Sequence, residues 1–202
     1  MLQEDRLAAA LALAHDAHRT QKRKGTDIPY ISHPMAVASL VLEYGGTETQ
    51  AMAALLHDAI EDGGEDYDNR IGEAFGAQVL DIVRDCTDGT AEAKAVARTP
   101  EAKRAAWKAR KLAYLEHLEA KPATAPSLLV SACDKLHNAR AIVSDLHAVG
   151  GEVFERFKAG REGTLWYYGE LARIFADKGT APAQSLARTV DAMRRLAQHE
   201  PA

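Results

Sequence analysis

Residues Ala51 to Asp62 read AMAALLHDAIED, and their pattern indicates an α-helical fold. The apolar residues among them recur with the spacing of an α-helix. Thr47, with Gln50 three residues later, matches the capping-box pattern that begins a helix. The sequence therefore predicts a buried helix from Glu48 to Asp62, which the glycine pair at positions 63 and 64 ends.

This helix carries polar residues where a buried face is expected. His57 and Asp58 are adjacent, and four residues later Glu61 and Asp62 stack over them on two neighbouring stripes. No Lys or Arg lies between Glu48 and Asp62 to offset the three carboxylates. Buried carboxylates are costly unless they are paired or bind a cation, so the pattern favours a metal site. A His-Asp pair alone is more often a hydrogen-bonded core pair, which is the alternative.

Two further positions have the residue types of metal ligands. His33 begins a helix directly after the loop of residues 21–32, where its side chain can point into a cleft. Asp134 is a carboxylate among the apolar residues of SLLVSACDKLHNAR, residues 127–140. Imidazole and carboxylate ligands suit Mn, Fe, Zn or Co. Thiolates are absent from the pattern, which argues against a structural zinc site.

Apolar residues keep helical spacing along almost the whole chain, and runs of β-branched residues are scarce. The sequence therefore predicts one all-α domain over residues 1–202, although LLVSAC, residues 128–133, would also suit a buried strand. The polar stretch from Asp88 to Pro100 is predicted to be a mobile loop. The other predicted helices are about Glu4–Arg19, His33 to the Gly45-Gly46 pair, Tyr67–Phe75, Ala77–Thr87, Glu101–Glu119, Ser127–Leu146, Glu162–Asp177 and Pro182–Gln198.

The composition is that of an ordinary globular protein, with 47% hydrophobic and 27% charged residues. No apolar run of about 18 residues is present, which argues against a membrane span, and the N-terminus lacks the basic start of a secretory signal. The net charge of −4 argues against broad nucleic-acid binding. Cys86 and Cys133 are the only cysteines, and isolated thiols indicate a reducing compartment. A soluble cytoplasmic protein is expected.

The charge is unevenly distributed along the chain. Between Lys94 and Lys111 there are seven basic residues and one acidic residue. Arg104, Lys108 and Lys111 have the spacing that places side chains on one helix face. This run is either a solvated face or a patch that attracts phosphate groups, and a small phosphorylated ligand requires only such a patch.

The order of His33, His57-Asp58 and Asp134 resembles the H…HD…D pattern of the HD-domain superfamily of metal-dependent phosphohydrolases. The segments RKGTDIPYISHP (23–34), ALLHDAIEDG (54–63) and DKLHNAR (134–140) narrow the resemblance to the hydrolase domain of RelA/SpoT proteins and the small alarmone hydrolases. It covers about residues 1–175, and a C-terminal helical extension follows at about 180–200. The resemblance implies an all-α HD-domain bundle.

The resemblance also implies a reaction, a cofactor and roles for residues. The reaction is hydrolysis of the 3′-pyrophosphate of the nucleotides ppGpp or pppGpp, which releases pyrophosphate and leaves GDP or GTP. The cofactor is Mn²⁺ or another divalent transition metal. Carried over by position, the metal ligands are His33, His57, Asp58 and Asp134, and the acidic pair that orients and deprotonates water is Glu61 and Asp62.

Substrate contacts follow from matching or nearby positions. The candidates are Arg23, Lys24 and Asn138, then Lys135 and Tyr30, and the face of Arg104, Lys108 and Lys111. For Tyr30, packing beside Pro29 is the alternative to stacking on a base. Two departures bear on nucleotide recognition: the loop between Lys24 and Pro29 has no unique match in length, and Ala141 stands where related enzymes often have a hydroxyl residue.

Other functions stay open at this point. Another HD phosphohydrolase would act on a nucleoside monophosphate, a deoxynucleoside triphosphate or a cyclic nucleotide. A regulator that binds nucleotides without catalysis would have lost some ligands or the acidic pair, and both sets are complete here. The base is undecided between guanine and adenine, as in ppApp, and the oligomeric state is not predicted.

The other histidines and the late aromatic residues are expected to be structural. Surface or core positions are expected for His15, His18, His117, His137 and His147. The cluster of Trp166, Tyr167 and Tyr168 favours core packing, with lining of the nucleotide pocket as the alternative.

Overall fold

The computed structural model describes residues 4–63, 65–87 and 99–198, with the side chains at positions 4, 62, 65 and 100 excepted. The described residues form the predicted all-α structure, and their one β-type pairing is the bridge between Lys22 and Pro29. The helices are α1 (Glu4–Ala17), α2 (Ser32–Glu43), α3 (Glu48–Leu56), α4 (Ala59–Gly63), α5 (Glu65–Phe75), α6 (Ala77–Cys86), α7 (Pro100–Ala120), α8 (Pro126–Val149), α9 (Gly160–Asp177) and α10 (Ala183–Gln198), with a 3₁₀ helix at Gly150–Arg156.

Helix α3 lies at the centre of the fold. Its residues 51–56 are all buried, and the helix packs against α1, α2, α6 and α8. Helix α8 is buried along most of its first half, including Leu128, Val130 and Cys133. The LLVSAC segment is therefore a core helix, and the alternative of a buried strand is wrong. The His-Asp pair thus directly follows the buried helix α3, and Asp134 lies in the buried first half of α8.

The predicted helix from Glu48 to Asp62 is interrupted at His57 and Asp58, which separate α3 from α4. Nδ1 of His57 donates a hydrogen bond to the carbonyl oxygen of Ala54 at 2.8 Å. In a continuous helix that oxygen would accept from the backbone amide of Asp58. Because the side chain competes with the backbone for one acceptor, the helical pattern breaks at this dipeptide. The prediction of one unbroken helix is therefore wrong.

The helix ends follow local sequence signals. Thr47 and Gln50 form the predicted capping box, in which each side chain accepts a hydrogen bond from the backbone amide of the other residue. The Thr99 hydroxyl oxygen caps α7 by accepting from the amide of Ala102. Of the predicted mobile loop from Asp88 to Pro100, residues 88–98 lie outside the described residues. The 3₁₀ helix after α8 was not predicted; it begins at Gly150, whose φ of 59° suits glycine.

Helix α10 is part of the same core. It packs against α8 and α9, and it buries Leu186, Val190 and Met193, which its spacing places on one face. The predicted C-terminal extension is thus integrated into the bundle. Cys86 and Cys133 are buried free thiols, as expected. Within the described ranges, no helix combines the length and apolar character needed to cross a membrane.

Candidate metal centre and adjoining cavity

Four side chains from three separate segments of the chain lie close together. His33 lies in the first turn of α2, the His57-Asp58 pair lies between α3 and α4, and Asp134 lies within α8. Nε2 of His33 is 3.1 Å from Oδ1 of Asp134 and 3.6 Å from Oδ2 of Asp58. Nε2 of His57 is 3.1 Å from Oδ2 of Asp58 and 3.7 Å from Oδ1 of Asp134. The structure therefore brings all four predicted ligands together.

Donor atoms of His33, His57 and Asp58 all lie within 4.8 Å of one another, and Oδ1 of Asp134 lies next to both histidines, an arrangement that fits a divalent transition metal. Two atoms that bind one cation at about 2.1 Å are about 3.0 Å apart when they subtend a right angle at it. The shortest nitrogen-oxygen separations in the cluster are 3.1 Å. Nε2 of His57 is buried and makes no hydrogen bond of acceptable geometry to a described residue, while Nδ1 of the same ring donates to Ala54. The lone pair on Nε2 is therefore available to a cation between the carboxylates.

The charge of the cluster supports the same conclusion. Burial would raise the pKa of Asp58, but the neighbouring His57 outweighs burial and lowers it. Burial would likewise raise the pKa of Asp134, which Lys135 and the two histidines hold well below its usual range. Burial opposes protonation of His57, yet the two carboxylates raise its pKa well above the ordinary value. A point that attracts a proton this strongly also attracts a divalent cation.

Hydrogen bonds hold the two carboxylates in place. The hydroxyl of Tyr30 donates to Oδ2 of Asp58 at 2.7 Å. Asp134 accepts from Nζ of Lys135 at 2.5 Å and from Nδ2 of Asn138 at 2.6 Å. Tyr30, Lys135 and Asn138, which the sequence predicts as substrate contacts, therefore lie against the predicted metal ligands. Neighbours of this kind orient metal ligands and tune their basicity.

The loop before α2 is anchored at the same centre. Oδ1 of Asn138 accepts a hydrogen bond from the guanidinium of Arg23 at 2.9 Å. That guanidinium lies 5.7 Å from the centroid of the Tyr30 ring. The ring centroids of His18 and Tyr30 are 4.8 Å apart. Arg23 is therefore linked to Asp134 through Asn138, and Tyr30 is linked to Asp58 directly.

His137 was expected to be an ordinary surface or core histidine, but it touches a predicted metal ligand. Its Nδ1 lies 2.8 Å from Nδ1 of His33. Burial, and after it the electrostatic effects of His33 and Arg23, lower the pKa of His137 to about 4. The sequence carried no signal for this contact beyond the position of His137 one helical turn after Asp134.

A cavity of about 680 Å³ adjoins the metal centre. Tyr30, Lys135, His137 and Asn138 lie on its wall, so residues that touch Asp58, Asp134 and His33 also face the cavity. Among the described residues, the basic residues on its wall are Arg23, Lys24, Arg110, Lys111, Lys135, Arg156 and Lys158, and the acidic ones are Glu61 and Asp145. This excess of positive charge suits an anionic ligand of nucleotide size.

The other predicted site residues differ in whether they line the cavity. Glu61 is half-buried and lines the cavity. Asp62 lies in α4, but its side chain lies outside the described part of the chain. Lys111 lines the cavity, whereas Arg104 and Lys108 are exposed and lie outside its lining. The face predicted from these three basic residues therefore reaches the cavity at one of its members.

Sequence reasoning missed Trp107, Arg110, Arg156 and Lys158 on the cavity wall. For Arg110 a signal was available. The apolar stripe of α7 consists of Trp107, Tyr114 and Leu118. Since each residue of an α-helix turns the chain by about 100°, Arg110 and Lys111 lie on the two sides of this stripe. Arg156 and Lys158 follow α8 in a segment without helical periodicity, which gave no indication of their direction.

The aromatic cluster serves both roles that the sequence left open. Tyr167 and Tyr168 are buried and also line the cavity. Trp107 packs edge-on against Tyr167 with ring centroids 6.0 Å apart, and Nζ of Lys111 lies 4.8 Å from the Tyr167 centroid. Trp166 packs against this cluster without lining the cavity.

Comparison with known protein families assigns this chain to one of them. A family model described as an HD domain matches residues 10–165, and the chain therefore belongs to the HD-domain family. Membership implies dependence on a divalent metal, in agreement with the donor cluster. Relatives include a probable GTP diphosphokinase, RSH2, of rice chloroplasts, which is 33% identical over 129 residues, or 64% of this chain and 17% of that protein. The guanosine-3′,5′-bis(diphosphate) 3′-pyrophosphohydrolase of Haemophilus influenzae is 46% identical over 72 residues, or 35% of this chain and 10% of that protein.

Solved structures confirm the fold. One belongs to a metazoan ortholog of SpoT, described as hydrolysing ppGpp; it matches with a TM-score of 0.69 and 23% identity over 94% of each chain. A Listeria monocytogenes protein matches with a TM-score of 0.64 and 24% identity, over 83% of this chain and 99% of that one. The curated relatives are much longer, since the matched regions span 17% and 10% of the rice and Haemophilus proteins.

Proposed function

We propose that this protein is a metal-dependent phosphohydrolase that removes the 3′-pyrophosphate of ppGpp and pppGpp. The proposal rests on the cluster of His33, His57, Asp58 and Asp134 beside a cavity whose wall, in the described part of the chain, carries seven basic residues. A nucleotide with diphosphates at both the 5′ and 3′ positions is highly anionic, and such a wall offsets its charge. The name of the Haemophilus relative and the description of the metazoan structure support this substrate.

The chain supplies the ligands and holds them rigidly. We assign His33, His57, Asp58 and Asp134 to one metal ion, with Mn²⁺ as the cofactor. When bound, a divalent cation polarises a phosphoryl oxygen and lowers the pKa of water. The hydrogen bonds from Tyr30, Lys135 and Asn138 keep both carboxylates in position before the substrate arrives.

The reaction requires one water molecule and one base. The water oxygen attacks the phosphorus joined to the 3′ oxygen, and the bond between that phosphorus and the 3′ oxygen breaks. Pyrophosphate leaves, and the 3′ oxygen gains a proton to become the hydroxyl of GDP or GTP. We assign Glu61, which faces the cavity, together with Asp62, to orient the water and take the proton that it loses.

The cavity wall is assigned to the phosphate groups. Lys24 is exposed at the cavity wall, where partial desolvation, followed by the nearby ammonium of Lys158, lowers its pKa. A bound anion would relieve this crowding of positive charge. We assign Arg23, Lys24 and Lys111 to the substrate, and we assign no contact to Arg104 or Lys108, since both lie outside the lining. We place this activity in the cytoplasm, because both cysteines are free thiols. We place it in a single domain, because α10 shares the core of the other helices.

The decisive experiment is a substrate panel with product identification. The Mn²⁺-loaded protein is incubated with ppGpp, pppGpp, ppApp, dGTP and a cyclic nucleotide, and pyrophosphate and nucleoside products are identified by ³¹P NMR. Pyrophosphate with GDP or GTP is the expected result. Asp58→Asn removes a ligand and should abolish it, whereas Asp191→Asn, on the exposed face of α10, is the matched control. Turnover of dGTP or the cyclic nucleotide alone would replace this proposal with another HD-family activity.

A further inference from the structure

His137 connects the metal centre to the cavity through a hydrogen bond between two imidazole rings. Nδ1 of His137 and Nδ1 of His33 are 2.8 Å apart, and the two ring centroids are 4.8 Å apart. The opposite nitrogen of His33, Nε2, faces Asp134 and Asp58 at 3.1 and 3.6 Å. His137 itself is half-buried on the cavity wall. One ring therefore faces the metal site, and the ring that it touches faces the ligand cavity.

The direction of this hydrogen bond follows from the proton that each ring carries. A neutral imidazole has one N–H and one nitrogen with a free lone pair. Nε2 of His33 must present its lone pair to bind a cation, so its proton lies on Nδ1. Nδ1 of His33 then donates, and Nδ1 of His137 accepts, because two N–H groups cannot face each other at 2.8 Å. The proton of His137 is therefore on Nε2.

Nε2 of His137 makes no hydrogen bond to the described residues, although the ring lies on the cavity wall. Its neighbour Asn138 uses its side-chain amide on Asp134 and Arg23. An N–H group on a wall this rich in basic residues is suited to an anionic oxygen.

We propose that His137 is a substrate-binding residue, which donates its Nε2–H to a phosphate oxygen, and that His33 fixes it in the tautomer that can do so. The inference rests on the proposed phosphohydrolase function. It also makes the two sites interdependent, because the His33 tautomer that binds the cation is the one that orients His137 as a donor to the substrate.

Two substitutions separate the two hydrogen bonds of His137. Asparagine places its side-chain oxygen near the position of Nδ1, so His137→Asn keeps an acceptor for His33 and removes the donor to the substrate. Glutamine places its amide near the position of Nε2, so His137→Gln keeps the donor and removes the acceptor for His33. His147→Asn, an exposed histidine on the same helix, is the control.

The expected results differ for the two variants. For His137→Asn, Mn²⁺ affinity in a chelator competition should stay within about twofold, and the KM for ppGpp should rise about 10- to 100-fold, the loss of one hydrogen bond to a charged group. For His137→Gln, Mn²⁺ affinity should fall about tenfold, as for loss of a neighbour that orients a metal ligand. An unchanged KM in His137→Asn would overturn the donor role, and unchanged Mn²⁺ affinity in His137→Gln would overturn the role of the ring contact.

A spectroscopic measurement tests the tautomers without any turnover. In the Zn²⁺-loaded protein, two-bond ¹H–¹⁵N spectra distinguish protonated from unprotonated ring nitrogens, and the His137→Asn variant identifies the signals of His137. Protonation at Nε2 of His137 and at Nδ1 of His33 is expected. A proton on Nδ1 of His137 would overturn the proposal.

The failure of this inference can be told apart from the failure of the proposed function. If the wild-type protein does not hydrolyse ppGpp, the proposed function fails, and the tautomer spectra and binding of inorganic pyrophosphate still test His137. Weaker binding of pyrophosphate to His137→Asn than to the wild type supports the donor role in that case, and equal binding overturns it.

Discussion

Tyr30 and Asp58 are joined by a hydrogen bond in which the phenol hydroxyl donates to Oδ2 of the carboxylate at 2.7 Å. The same oxygen lies 3.1 Å from Nε2 of His57, so Tyr30 holds an atom of the metal cluster itself. A tyrosine that the sequence predicts as a stacking or packing residue therefore holds the side chain of a predicted metal ligand. Its ring packs beside those of His18 and His33, with ring centroids 4.8 and 5.7 Å away.

Tyr30→Phe should weaken metal binding more than folding. The ring keeps its packing, but Asp58 loses the donor that orients it, and loss of such a neighbour typically costs about 10- to 100-fold in affinity. Chelator competition with Mn²⁺ measures the affinity, and thermal unfolding of the metal-free protein measures stability. Tyr44→Phe is the matched control, since it removes a hydroxyl that bonds Ser185 away from the site. Equal Mn²⁺ affinity in Tyr30→Phe and the wild type would contradict the assigned role.

Glu61→Gln should separate chemistry from metal binding. Glu61 is assigned to water and not to the metal, so the variant should retain the metal and lose about 10²- to 10⁴-fold in kcat, the usual contribution of a general base. Metal content by mass spectrometry and kcat for pyrophosphate release are the two measurements. Glu155→Gln, on the exposed side of the 3₁₀ helix, is the control. Loss of the metal from Glu61→Gln would make Glu61 a ligand.

Lys108 and Lys111 offer a matched test on one helix. Lys111 lines the cavity, whereas Lys108 is exposed outside it. Lys111→Ala should therefore raise the KM for ppGpp about tenfold or more, since hydrogen bonds to charged groups contribute about 1.5–3 kcal/mol. Lys108→Ala should leave KM within about twofold. Equal increases for both would indicate a diffuse attraction by the whole basic helix instead of a contact.

Asp85 gives a pH-dependent prediction about stability. It accepts from Nζ of Lys121 at 2.6 Å and from the Ser127 hydroxyl at 2.8 Å, which joins the end of α7 to the start of α8. Partial burial would raise the pKa of Asp85, but Lys121 and Ser127 outweigh burial and lower it. A lowered folded-state pKa stabilises the protein above the unfolded-state value, near pH 4, and this stabilisation is lost as the pH falls further.

Asp85→Asn should therefore lower the free energy of unfolding by about 1 kcal/mol at pH 7, a value reduced by the partial exposure of the pair. The difference from the wild type should shrink below about pH 4. Urea unfolding at pH 7 and pH 3.5 measures both quantities, with Asp191→Asn as the control. A difference that grows on acidification has the wrong sign for this mechanism.

The helices and the residue types of the four predicted ligands could be predicted from the sequence because both depend on local patterns. Capping at Thr47, the apolar spacing of α8 and the unneutralised acids after His57 are all visible within one or two turns. The interruption at His57 was not visible, since the apolar pattern continues through it and the ring takes the carbonyl of Ala54 only in one rotamer.

The surroundings of the donors depend on contacts between distant segments, and these escaped prediction. Tyr30 reaches Asp58 from the loop before α2, and Arg23 reaches Asn138 on α8. No periodicity within one segment encodes such pairs. Which side chains line the cavity was therefore predicted less completely than which side chains lie together in the cluster, because the direction of a side chain depends on how the helices pack around the cavity.

The convergence of His33, the His57-Asp58 pair and Asp134 has a mechanical consequence. A cation held by these side chains would close two long loops of the chain and act as a removable cross-link between α2, α3 and α8. Because it would bind only the folded state, each tenfold rise in free metal above Kd should add about 1.4 kcal/mol to the stability. Chelation with EDTA should accordingly lower Tm by several degrees, and Tm should rise in proportion to the logarithm of added Mn²⁺. The melting temperature would then report the occupancy of the metal centre without any substrate.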